Sequence, residues 1–294
     1  MKKTYVLAFT AITFWSTVSV TTKLLLKDFT NFQVLWISTL FAAVGLLFVN
    51  LFTGQLKVLK TYTFKDFIRI ALIGLPGLFF YYVFFYAGSA RMPASQAFIV
   101  NYLWPIMSVL CACLILKEKM TLKKGVALGM SFLGVVIVMW HDLFAFEQEM
   151  LIGAGLCVMG AVSYGLFTAL NQKYQYNKRV SMMISYVVTF VLTGIINAVQ
   201  GNLFLPTLTQ SLGFAWNGMF TMAFAGTAWI TALESGETAK ISNLAYITPF
   251  LSLVWTTLIL HETVQLNFII GLVMIVLGIF VQMFNTKKLE NSCR

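Results

Sequence analysis

Charge is what this sequence has least of. Ten acidic and twenty basic residues among 294 make up 10% of the chain, against roughly a quarter of an average soluble domain. In their place stand hydrophobic residues at 59%, with a mean hydropathy of +0.84. That balance excludes a soluble domain and points to an integral membrane protein. Histidine and cysteine are scarce as well. The two histidines, His141 and His261, stand at the edges of apolar runs, and no HExxH, paired aspartates or GxSxG motif appears. Hence no enzyme, no metal site and no cofactor is expected. Cys111, Cys113, Cys157 and Cys293 have no His or acidic neighbours, so they make neither a zinc site nor a disulfide framework. Sizeable loops and tails are missing too, which argues against a receptor or scaffold. A channel would call for charge rings or a carbonyl filter, and neither motif is found.

What is present is a series of long uncharged windows: 4–22, 29–56, 70–90, 92–116, 150–172 and 263–286. Each is near or above the roughly 20 residues that cross hydrocarbon. The window 180–233 is too long for one crossing and is broken by GNLFLPT at Gly201–Thr207, while 125–140 and 241–260 add shorter spans, giving ten helices and an all-α membrane protein. With the N-terminus inside, every Lys and Arg except Lys23, Lys27 and Arg91 falls on the cytoplasmic side, as the positive-inside rule requires. The net charge of +10 then belongs against anionic head groups. The lipid bilayer is the expected partner, and nucleic acid is not. The first span carries no small-residue cleavage site, so no cleavable signal peptide is expected.

The chain also repeats itself. At an offset of 144, NYLWPIMSVL sits over LAYITPFLSL, with Tyr102 on Tyr246, Pro105 on Pro249, Glu118 on Glu262 and Gly134 on Gly278. Two halves follow, 1–141 and 150–286, with a cytoplasmic tail at 287–294. An odd number of helices per half inverts the second copy in the membrane, the architecture that lets a transporter alternate its access around a site near the midplane. Pro105 and Pro249 then bend equivalent helices in mid-membrane, which lipid tolerates only beside a cavity or neighbouring helices. Asn101, Trp104, Pro105 and Ser108 share one helical face. The competing reading of that face is helix packing, with Asn101 as an interhelical hydrogen-bonding residue.

FWST at Phe14–Thr17, NYLWP at Asn101–Pro105, NQKY at Asn171–Tyr174, AW at Ala228–Trp229 and AYITPFLS at Ala245–Ser252 resemble the drug/metabolite transporter superfamily in its ten-helix EamA form. Within it, the chain looks most like the bacterial exporters of aromatic amino acids and paraquat. The resemblance spans the whole chain and implies a small-molecule carrier of the bacterial inner membrane, commonly exporting, with a chamber between two inverted bundles. As chamber residues we take Trp15, Tyr81, Tyr82, Gln96, Asn101, Tyr102, Trp104, Tyr164, Asn171, Trp229 and Tyr246, with Pro105 and Pro249 as bend or gating positions. Aromatic walls suit a flat ring or, through cation–π attraction, an organic cation. Trp and Tyr also form interfacial belts, and because Tyr81 and Tyr82 are adjacent, one of the two is expected to pack rather than line.

No Asp, Glu, Lys, Arg or His falls near the middle of any span, so facilitated transport or exchange is expected rather than obligate proton antiport. Arg91 and Lys240, near helix ends, are expected to snorkel to head groups. Glu118 and Glu262, acids at helix C-termini, oppose the dipole and should pair with local bases or cap the following helix. GxxxG at Gly125 and Gly129, and Gly271 with Gly278, signal close packing or a dimer contact. The chain is therefore expected to act as a monomer or homodimer. The substrate alternatives are aromatic or neutral amino acids, first, and lipophilic or quaternary cations, second.

Overall fold

The computed structural model describes residues 2–141, 147–234, 241 and 244–283, and among these there is helix and no strand. Lys240, Asp142, Cys293 and the tail at 287–294 lie outside the described residues. We number the helical segments α1 (Lys3–Leu25), α2 (Asn31–Phe52), α3 (Phe64–Arg91) and α4 (Ala94–Ile115), then α5 (Leu122–Val138). They continue as α6 (Gln148–Lys173) and α7 (Lys178–Val199), α8 (208–233), α9 (Ala245–Leu260) and α10 (Leu266–Met283). Six of them, α1 to α4 with α6 and α7, are long and apolar enough to cross a membrane.

Short polar residues start these helices by accepting from the third N–H onward, the capping arrangement that satisfies orphan donors. Thr30, Thr63 and Thr207 each close a capping box, with Gln33, Asp66 and Gln210. The cap at Thr63 explains why α3 begins at Phe64 rather than at the uncharged window starting at 70. Lys65, Asp66 and Arg69 simply occupy its first exposed turns. Gly201 takes a left-handed φ of 68°, ending α7 where the sequence pattern broke the long apolar window.

The segment ends meet on two faces. On the face carrying the N-terminus, Asn177 donates to Gln55 at 2.7 Å, Tyr176 to Asp66 at 2.9 Å, and Arg179 pairs with Glu234 at 2.7 Å. On the far face, Gln33 donates to the Asn202 carbonyl at 2.9 Å and Asn267 to that of Val138 at 3.0 Å. Between them α5 lies along α10, closely enough that a Cβ on Gly134 would stand 2.6 Å from the Gly271 carbonyl oxygen. Small residues let backbones approach where no hydrophobic force drives helices together. Gly271 and Gly278 thus pack as expected. Gly125 and Gly129 do not, for both face open space, because the packed stripe of α5 runs through Ala127, Ser131 and Gly134, which are buried.

Three irregularities break the regular helices. In α4, Tyr102 and Leu103 form a turn between Ala94–Asn101 and Trp104–Ile115, and Pro105 sits in the first turn of the second half, where its missing N–H is least harmful. The four-residue face through Asn101, Trp104 and Ser108 is therefore interrupted rather than continuous. In α3 the turns at Leu75–Phe80 widen to π geometry, and in α8 those at Trp216–Phe224 do the same. At the repeat offset these two wide segments overlap.

Candidate functional site

At the centre of the bundle lies a cavity of about 210 Å³. Trp15 reaches it from α1, Tyr81 and Tyr82 from α3, Asn101, Tyr102 and Trp104 from α4, Tyr164 from α6 and Trp229 from α8. Eight of the eleven expected chamber residues are thus brought to one wall. The other three lie elsewhere. Gln96 is buried in the first half of α4, Asn171 donates to the Phe167 carbonyl at 2.9 Å, and the Tyr246 ring leans on Phe280 at 4.9 Å.

The rings interlock rather than stand free. Trp15 and Trp229 are 5.3 Å apart with planes at 56°, and Trp104 meets Tyr164 edge-on at 5.2 Å. Tyr164 in turn lies 5.0 Å from Tyr81. Offset and edge-to-face pairs of this kind stabilise beyond their buried area. Tyr81 and Tyr82 both reach the cavity, contrary to the expectation that one would pack away. They follow directly on the π segment of α3 and contact each other as a T at 4.8 Å, so a wide cavity receives two neighbouring rings at different angles.

Polar groups in the wall are few and held by the protein. Asn101 is 3% exposed and donates to the Tyr81 hydroxyl at 3.0 Å. The Tyr102 hydroxyl donates across to the Ala245 carbonyl of α9 at 2.6 Å. Among the described residues no charged side chain lines the cavity. The pattern of the sequence did not single out Met182 and Tyr186 of α7, Thr221 of α8 or Thr248 of α9, which complete the wall. Tyr186 was findable as the lone phenol within the uncharged window of α7. The threonines carried no such signal.

The cavity reaches toward the N-terminal face, where Met182, Trp229 and Ile230 belong to turns near the ends of α7 and α8. On the far side α1 and α9 are tied to α3 and α4. The Lys23 ammonium donates to the carbonyls of Ser89 and Met92, both at 2.8 Å, and Glu262 accepts from the backbone N–H groups of Ala94 and Ser95. Glu262 therefore caps α4, not the helix that follows it. Glu118 pairs with Lys124 at 2.9 Å, as local bases suggested, and Arg91 reaches Glu149 at 3.3 Å.

The sequence profile of the EamA-like transporter family matches residues 2–140 and again 151–284. An uncharacterized transporter of Archaeoglobus fulgidus is 26% identical over 96% of this chain and 98% of its own. The aromatic amino acid exporter YddG of Ancylobacter novellus is 24% identical over 61% of this chain and 63% of its own. A solved crystal structure superposes with a TM-score of 0.69 at 19% identity, covering 99% of both chains, and so shares the fold.

Proposed function

The chain belongs to the EamA-like transporter family, and from that premise we propose that it carries aromatic or other neutral amino acids across the bacterial inner membrane by alternating access. The observation that carries this reading is the central cavity, walled by Trp15, Tyr81, Tyr82, Trp104, Tyr164 and Trp229 and free of charged side chains among the described residues. Such a wall offers a flat ring large apolar contact and a few hydroxyl and amide tips for orientation. The name of the YddG relative supports the same substrate class.

In this reading α1 to α10 all cross the membrane, residues 1–141 and 150–286 are inverted copies, both termini are cytoplasmic, and the cavity faces the cytoplasm. Two separate family matches support the division, and the excess of Lys and Arg on one side supports the orientation. With no ionisable group in the wall, transport is facilitated or by exchange rather than by proton antiport.

Counterflow of radiolabelled tryptophan, phenylalanine, threonine and methyl viologen in proteoliposomes tests it, comparing the native protein with Trp104→Ala and Asn101→Ala. Saturable uptake of the aromatic amino acids, lost in both variants while folding is retained, is the expected result. Uptake of methyl viologen alone would favour the cation reading, which the paired Trp15 and Trp229 faces support through cation–π attraction. Uptake of none, or uptake indifferent to both substitutions, would overturn the assignment of the cavity. Uphill accumulation driven by an imposed pH gradient would overturn the uncoupled mechanism.

A further inference from the structure

Two prolines at equivalent places in the repeat each withdraw one backbone donor in mid-membrane. Proline has no N–H, so the carbonyl four residues earlier loses its helical partner. Pro249 does this to Ala245, and Pro105 does it to Asn101. An oxygen left so in a dry interior needs another donor. The Ala245 oxygen finds two: the Thr248 N–H in a tighter 3-10 turn, and the Tyr102 hydroxyl at 2.6 Å, reaching over from α4. Tyr102 is 4% exposed, so this bond is shielded from competing water.

The repeat makes the arrangement reciprocal. Tyr102 and Tyr246 are equivalent, as are Asn101 and Ala245. Side chains on a helix lean toward its N-terminus, and carbonyls point toward its C-terminus. Tyr102 on α4 therefore leans toward the far face, the direction in which the Ala245 carbonyl of the oppositely running α9 points. By the same rule Tyr246 leans toward the N-terminal face, the direction in which the Asn101 carbonyl points. Here the far-face halves of α4 and α9 are drawn together, with Glu262 on Ala94 and Ser95, and the Tyr102 bond is made while the Tyr246 ring is laid against Phe280.

We propose that Tyr102 and Tyr246 are a reciprocal switch: the Tyr102 hydroxyl on the Ala245 carbonyl stabilises the state closed on the far face, and the Tyr246 hydroxyl on the Asn101 carbonyl stabilises the state closed on the N-terminal face. The inference rests on the inverted-repeat, alternating-access reading above. Each tyrosine satisfies the oxygen that the other repeat's proline has stripped, so each conformation gains one such bond as it gives up the other. The two states are thereby kept close in energy without any charge at the midplane.

The test is a distance measurement between spin labels at Val6 on α1 and Leu114 on α4, exposed positions near the N-terminal face, with the four native cysteines replaced and no substrate present. The native protein is expected to show a long and a short population. Tyr102→Phe should shift the ratio about fivefold toward the short distance, and Tyr246→Phe about fivefold toward the long one, the change that losing one ordinary hydrogen bond produces. Pro249→Ala returns a donor to the Ala245 carbonyl, so in that background Tyr102→Phe should shift the ratio little. A role confined to substrate contact would leave all these substrate-free ratios unmoved. Two populations with shifts in the same direction, or with none, would overturn the switch alone. A single distance that saturating tryptophan does not alter would overturn alternating access and the switch with it.

Discussion

Glu262, at the end of α9, caps the helix that begins at Ala94, accepting its N–H at 2.7 Å and that of Ser95 at 2.9 Å. A carboxylate at a helix N-terminus is favoured by both the orphan donors and the dipole. Five residues earlier in the chain, Ser89 and Met92 offer their carbonyls to Lys23. One turn between α3 and α4 is thus held by an anion on its donor side and a cation on its acceptor side, both supplied by helices of the opposing bundle.

Glu262→Ala should accordingly destabilise the protein by roughly 2 kcal/mol, the scale of charge-assisted hydrogen bonds lost to a buried helix end. Lys23→Met should act in the same direction. Because both grip one turn, the double variant should lose less than the sum of the two. Thermal unfolding in detergent measures all three, and strict additivity would show that the two contacts are independent.

Gly134→Leu should be among the most damaging substitutions in the chain. The added side chain would meet the Gly271 carbonyl oxygen 2.6 Å from its first carbon, and overpacking of this kind costs about 3 kcal/mol or prevents folding. Gly125→Ala and Gly129→Ala, whose added methyl groups meet nothing within 4 Å, should change the melting temperature little. Comparable damage at all three positions would mean that Gly125 and Gly129 pack against a second copy.

Asn217→Leu should destabilise by about 2 kcal/mol, since it strands two buried hydroxyls. The Asn217 amide donates to Ser38 at 3.0 Å and to Tyr86 at 2.8 Å, joining α8 to α2 and α3. Adding Ser38→Ala and Tyr86→Phe should recover part of that loss, because removing every partner leaves no unmatched group. Urea or thermal denaturation of the single and triple variants checks this.

Trp229→Ala should raise the KM for tryptophan counterflow about tenfold while leaving the melting temperature within a few degrees. Trp229 presents its ring to the cavity beside Trp15, and one lost aromatic contact is worth roughly 1 to 1.5 kcal/mol of binding. An unchanged KM would place the substrate elsewhere in the chamber.

Much of this arrangement was legible in the sequence, and the parts that were not have physical reasons. Charge spacing located the helical segments because lipid admits few ions, and the boundary at Gly201 followed from the turn residues around it. Trp104 and Asn101 were marked by their polarity inside an oily run. Thr221 and Thr248 were not, since hydroxyls that bond a helix's own backbone are common in apolar helices. Tyr246 was misplaced by analogy with Tyr102, because a repeat fixes where a residue stands along its helix but not which of two conformations its half adopts. The adjacency argument about Tyr81 and Tyr82 assumed a uniform helix, and α3 is not uniform.

That irregularity matters for motion. A straight rod of hydrogen bonds transmits any displacement at one membrane surface to the other. The wide turns at Leu75–Phe80 and Trp216–Phe224 interrupt the rod in α3 and in α8, one in each half of the chain, at levels that match under the repeat. Helices bend where their ladder is slack. The outer part of each can stay wedged in its seat while the inner part swings, so passage through the protein is a matter of four half-length levers rather than two whole bundles rocking as solid blocks.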